Sequence, residues 1–163
     1  MARFEIPVRV YYEDTDAAGV VYYAGYLRFM ERARTEWLES LGFPLAAFER
    51  QHGVTFAVHR AEIDFLKPGR LDDRLAVSVL PAPRARRRRT FDSAEPAEAG
   101  TRDARPGRTG ACRLVVGQDV RRDDQLLVTA RITLACLDPL RWRPARIPAP
   151  LERVLASATA STA

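Results

Sequence analysis

Phe4, Ile6, Val8 and Val10 alternate with Glu5, Pro7, Arg9 and Tyr11, a period of two that predicts a strand with one buried face. Pro7 has no N–H to give to a ladder, which predicts an edge position or a bulge. Between residues 24 and 41 the period changes. Tyr26, Phe29, Met30, Ala33, Trp37 and Leu41 recur at spacings of three and four and form one helical stripe. Arg28, Glu31, Arg32, Arg34, Thr35 and Glu39 fall on the other side, where Glu31 can meet Arg34 or Thr35. Gly42, with Pro44 beyond it, predicts the end of a helix roughly 27 Å long, enough to cross a small sheet. Residues 45–52 permit a further short helix.

Strand patterns then return at 55–66, 74–80, 111–121 and 125–137. In the last, Leu126, Val128, Ala130, Ile132, Leu134 and Cys136 make one face, and Thr129, Arg131 and Thr133 punctuate the other. Arg122, Asp123 and Asp124 supply a polar turn that predicts an antiparallel hairpin. One long helix followed by a run of strands predicts an antiparallel sheet packed on that helix, an α+β class.

A chain of 163 residues with 47% hydrophobic content suits one domain, expected to run from 1 to 150. The net charge of +5 raises the possibility of nucleic acid binding, so its location matters. Residues 81–110 hold eight arginines against four acids, leaving the remaining chain at +1. With four prolines, three glycines and almost no apolar periodicity, that stretch is expected to be a flexible insertion. Arg84 to Arg89 have one nearby aromatic, Phe91, and are read as a solvated basic loop, so no nucleic acid partner is expected. The tail at 151–163, ending ASATASTA, is expected to be disordered.

No apolar run reaches the roughly 18 residues of a membrane helix, and MARFEIPVRV lacks a secretion signal's apolar block. A cytoplasmic location without a membrane span is expected. Cys112 and Cys136 lie in apolar runs without metal-type spacing, and His52 and His59 have no third ligand. Buried reduced thiols, no metal and no cofactor are therefore expected.

Glu13, Asp14 and Asp16 stand just ahead of the long helix. A helix N-terminus exposes unpaired N–H groups and a partial positive charge, which can hold a developing oxyanion. The residues alone leave two readings open: an aspartate cap, the commoner role, or a nucleophile or base for acyl transfer. A calcium loop is excluded, because EDTDAAG lacks further acidic ligands and a closing glutamate. Glu13 and Asp14 are read as turn-forming or solvated acids.

The stretch YYEDTDAAGVVYYAGYLRFMERARTEWLESLGF strongly resembles the 4-hydroxybenzoyl-CoA thioesterase-like branch of the hotdog superfamily, and within it the Tol-Pal system-associated acyl-CoA thioesterases. The resemblance continues in EIDFLKPGRLDDRL and GQDVRRDDQLLVTARITLACLD and covers most of the chain outside the insertion and tail. It implies a five-stranded antiparallel sheet wrapped around a central helix. It also implies a homo-oligomer, dimer or tetramer, with the acyl-CoA site between subunits, and allows a peripheral link to the cell envelope. The family's catalytic aspartate falls on Asp16, and its oxyanion donor on the Tyr23 backbone N–H. Many relatives carry histidine at Tyr23 and asparagine at Gly25; a backbone donor survives the first change, and Gly25 is expected to loosen the helix start. Val21, Tyr22 and Tyr26 are close enough to Asp16 to line an acyl pocket. The alternatives are a non-catalytic acyl-CoA-binding protein and a hotdog hydratase or dehydratase, which would need a histidine that neither His52 nor His59 supplies to the Asp16 loop.

Overall fold

The computed structural model describes residues 3–80 and 112–160, without the side chains of 158–160. The expected insertion at 81–110 lies outside the described residues. Strand β1 (Phe4–Arg9) leads through a single 3-10 turn (Tyr12–Asp14) to helix α1 (Tyr23–Ser40), then α2 (Leu45–His52). Strands β2 (Thr55–Phe65), β3 (Arg74–Leu80), β4 (Arg113–Arg122) and β5 (Gln125–Asp138) follow, with a two-residue β6 (Arg143–Pro144) and helix α3 (Ala149–Ala160).

All the pairings are antiparallel, in the order β1-β3-β4-β5-β2, with β6 added to β5. β1 stands at the end of this order with Pro7 opposite Ala76, the edge position its missing N–H demands. The sheet curls around α1, whose Tyr26, Phe29, Met30, Ala33 and Trp37 are buried. They join β3, β4 and β5 side chains in one core. α1 ends in a Schellman turn: Phe43 N–H donates to the Leu38 carbonyl, Gly42 N–H to that of Glu39, and Gly42 takes φ 88°.

The β4–β5 hairpin turns at Asp123, with φ 50°, a conformation that aspartate tolerates better than most residues. One step inward the register shifts. Val120 faces Val128 while Arg121 faces Leu126, so Leu127 is an extra residue in β5. This bulge buries Leu127 alongside Val128, and the Leu127 carbonyl accepts the Leu66 and Lys67 N–H groups at 2.8 and 3.0 Å.

Two expectations need correction here. The tail drawn as disordered from 151 contains most of α3. Leu151 and Leu155, four residues apart on one helical face, are buried with Ile147 in the core, and that burial offsets the ordering cost of a small-residue sequence. Arg34, assigned to the polar side of α1, is buried as well, with 8% exposure. Its guanidinium donates to Gln118 Oε1 at 2.7 Å, and Gln118 Nε2 donates to the Met30 carbonyl at 2.9 Å. A buried cation is tolerable when its N–H groups find acceptors.

Candidate active site

Between β1 and α1 the chain folds back on itself. Thr15 bridges Val21, the Asp16 N–H donates to the Val20 carbonyl at 3.0 Å, and Gly19, with φ 70°, closes the turn by donating to the Asp16 carbonyl. This returns Asp16 to the segment that enters α1. The Asp16 carboxylate is exposed, and its Oδ1 accepts the Ala18 N–H at 2.8 Å. Among the described residues its second oxygen has no partner.

Asp14, read as turn-forming or solvated, forms the turn but is buried, with 6% exposure. Its Oδ2 accepts the Tyr11 N–H at 3.0 Å and its Oδ1 accepts Arg28 of α1 at 2.8 Å. The Asp14 carbonyl takes the Tyr22 N–H at 2.9 Å. One residue therefore fixes both ends of the loop against the helix, and burial without the Tyr11 and Arg28 contacts would be costly for its carboxylate. Glu13 is exposed.

At the head of α1, Gly25 N–H donates to the Tyr22 carbonyl at 2.7 Å. Among the described residues the two intervening N–H groups, of Tyr23 and Ala24, have no acceptor. These are the orphan donors of a helix start, carrying the positive end of its dipole. Gly25 is buried at this first turn, and a β-carbon there would lie 3.4 Å from Val21 Cγ1.

The side chains read as pocket-lining, Val21, Tyr22 and Tyr26, divide into two sets. Tyr22 is exposed, as is the neighbouring Tyr23, with the two rings 4.6 Å apart and tilted. The Tyr22 hydroxyl is held above its ordinary pKa, first by its hydrogen bond with Tyr23 and least by the nearby Asp16 charge. Val21 and Tyr26 instead belong to the core. The Tyr26 hydroxyl accepts the Gly69 N–H at 2.8 Å, and the Gly69 carbonyl accepts the Val21 N–H at 2.8 Å. Burial raises the Tyr26 pKa. Neither histidine joins this region: His52 packs on Phe48 with centroids 4.8 Å apart, and His59 is an exposed residue at the β2 irregularity.

One turn beyond Tyr23 a groove of about 560 Å³ opens between α1 and β2, lined by Leu27, Arg28, Glu31, Arg34, Val58 and Ala61 among others. A second hollow of about 230 Å³ shares Glu31, Arg34 and Val58 and continues toward Leu38 and Leu45. Together they make an apolar trough along α1 with Arg34 in its wall. Desolvation lowers the Arg34 pKa, against a smaller opposing effect of Glu31.

Residues 10–155 match the family model described as the thioesterase-like superfamily. The chain belongs to that superfamily. It is 33% identical over 145 residues to the acyl-CoA thioester hydrolase YbgC of Escherichia coli, an alignment covering 89% of this chain and 90% of that protein. Among solved structures, a probable thioesterase from Bartonella henselae has a TM-score of 0.68 at 29% identity, covering 90% of this chain and all of that one. A 1,4-dihydroxy-2-naphthoyl-CoA thioesterase from Synechocystis superposes with a TM-score of 0.71 at 24% identity, covering 95% and 96% of the two chains. The fold is the hotdog fold that the loop and helix sequence implied.

The sequence reading missed Gly69 and Arg28, which hold the start of α1 and the Asp16 loop. Gly69 comes from a turn more than forty positions downstream and had no local signal. Arg28 had one, since it sits on the first turns of α1 behind an acidic loop.

Proposed function

We propose that this superfamily member hydrolyses acyl-CoA thioesters to the free acid and CoA, with Asp16 as nucleophile or general base and the Tyr23 backbone N–H as oxyanion donor. The observation that carries the reading is the pair of N–H groups at the head of α1 that have no partner among the described residues, beside a loop that returns an exposed carboxylate to the same segment. A thioester carbonyl seated there would develop its negative oxygen against the positive end of α1, a contact whose loss costs about a hundred- to a thousandfold in rate.

Two routes satisfy this arrangement. Asp16 attacks the carbonyl carbon, CoA leaves as thiolate, and water cleaves the resulting mixed anhydride; or Asp16 takes a proton from water as that water attacks. In both, the Ala18 N–H holds one carboxylate oxygen and the other acts. The exposed Tyr22 flanks the acyl group, Val21 and Tyr26 form the floor beneath it, and the trough along α1 receives its chain.

The reading includes a homo-oligomer, dimer or tetramer, with the site between subunits. Exposed Val58 and Phe65 on the end strand β2 support such a contact. It also includes a cytoplasmic location and a peripheral link to the cell envelope, which cell fractionation tests.

The decisive measurement is thiol release from acyl-CoA esters of short, medium, long and aromatic acyl groups. Asp16→Asn should lower the rate at least about a hundredfold, as expected for losing a positioned base, with an unchanged circular dichroism spectrum. Wild-type turnover by a folded Asp16→Asn protein would overturn the assignment.

A further inference from the structure

Cys112 and Cys136 play no part in the chemistry above, yet the sheet brings them together. β4 and β5 run antiparallel with Leu114 opposite Leu134 and Arg113 opposite Ala135. Continuing this register by one residue sets Cys112 opposite Cys136, and the Cys136 N–H donates to the Cys112 carbonyl at 2.9 Å. Directly opposed residues send their side chains to the same face of a sheet. Both thiols are free, Cys136 buried and Cys112 partly exposed.

The Cys136 carbonyl accepts the Ala145 N–H at 2.9 Å, so the two cysteines share one ladder bond in place of the usual two; at the ladder spacing of about 5.5 Å their α-carbons fall within the disulfide range. The β-carbons, at roughly 4.5–5.5 Å, must approach by up to about 1 Å. Cys112 can make that approach. It is a turn residue immediately ahead of Arg113, where β4 begins, so one partner stands at the end of the ladder and not inside it.

We propose that Cys112 and Cys136 are a modification site, a cross-strand dithiol that a hydroperoxide converts to a disulfide. The order of events follows from access. Cys136 is buried, and its thiol is pushed up to about 11, first by desolvation and then by Cys112, so it is a poor first target. The Cys112 sulfur attacks the peroxide, the O–O bond breaks, and a sulfenic acid forms with release of water or an alcohol. The Cys136 sulfur then displaces the hydroxyl from Cys112, the S–O bond breaks as the S–S bond forms, and the thiol proton leaves with the hydroxyl as water. Two thiols are oxidised and one hydroperoxide is reduced.

The product ties the residue that enters β4 to the strand that carries β6. It also removes the present contact of Cys136 Sγ with the Arg146 carbonyl at 3.7 Å, just ahead of the buried Ile147. The required approach leaves the bond strained, and strained disulfides are readily reduced, so the change is reversible.

The test uses the full chain, treated with hydrogen peroxide and then denatured for intact-mass analysis and maleimide labelling. The expected result is loss of two hydrogens, loss of both reactive thiols, one linked peptide containing Cys112 and Cys136, and recovery with dithiothreitol. Cys112→Ser, changed at the strand end where folding is least at risk, should show no loss of two hydrogens at the same dose. Retention of both thiols, addition of oxygen without loss of hydrogen, or linkage between chains would overturn the proposal. None of these outcomes depends on whether the chain hydrolyses thioesters.

Discussion

Replacing Gln118 with leucine should remove far more stability than its size suggests, because Gln118 is the acceptor found for the Arg34 guanidinium among the described residues. Two bonds disappear together: the contact from the cation at 2.7 Å and the Gln118 amide donation to the Met30 carbonyl at 2.9 Å. A hydrogen bond to a charged group contributes about 1.5–3 kcal/mol and a neutral one about 1 kcal/mol, so the expected loss is on the order of 2.5–4 kcal/mol. In urea, with a slope of about 2 kcal/mol per molar, the midpoint should fall by roughly 1.5 M. Protein concentration must be matched between variants, since association would itself add stability. The cause is separable from lost packing by a double-mutant cycle. Arg34→Met removes the buried charge, and in that background Gln118→Leu should cost much less, because an apolar pair replaces a broken polar one. Additive losses in the cycle, or a Gln118→Leu penalty below about 1 kcal/mol, would refute the role given to this pair.

Gly69→Ala is expected to disturb the start of α1, because the new β-carbon would meet the Tyr26 hydroxyl and Val21 Cγ2 at 3.1 Å each. Overpacking of this kind costs about 1–3 kcal/mol, read as a lower melting temperature together with a reduced thiol-release rate; full activity would refute the link between Gly69 and the site. Asp138 makes an acid-side prediction. The Arg141 N–H, then the Leu140 N–H, hold its carboxyl below the ordinary value in the folded chain. Its contribution is therefore present above the unfolded pKa of about 3.9 and is lost as pH falls through the lower folded value. Asp138→Asn should flatten the stability profile in that acid window and leave the slope near neutrality alone, measured by denaturation at a series of pH values.

Much of the fold was readable from periodicity, and the reasons for the exceptions are physical. The stripe on α1 placed the helix at 24–41, and it spans Tyr23–Ser40; Gly42 marked its end because the Schellman turn needs a positive φ. Arg34 was not readable as buried, since its acceptor lies 84 positions away in β4 and no local spacing reveals such a partner. Asp14 hid for a similar reason, its burial depending on an arginine donated by the helix it precedes. α3 did carry a signal in Ile147, Leu151 and Leu155, spaced by four, but the small residues after them resembled a tail. The position of Asp16 in a loop just ahead of α1 followed from the sequence, whereas Gly69 arrives through tertiary folding alone.

The turn between β2 and β3 touches three parts of the molecule within eight residues. Leu66 and Lys67 bond to the Leu127 bulge, Gly69 grips Val21 and Tyr26, and Asp72 and Asp73 exchange backbone bonds with Val10. Arg122 and the Arg70 N–H both reach the Asp73 carboxylate. The turn thus works as a keystone: the far hairpin, the end of β1 and the first turn of α1 share a single abutment. Loosening any one of them should speed amide exchange at the others, so that the stiffness of the Asp16 loop and the head of α1 depends on the hairpin behind them as well.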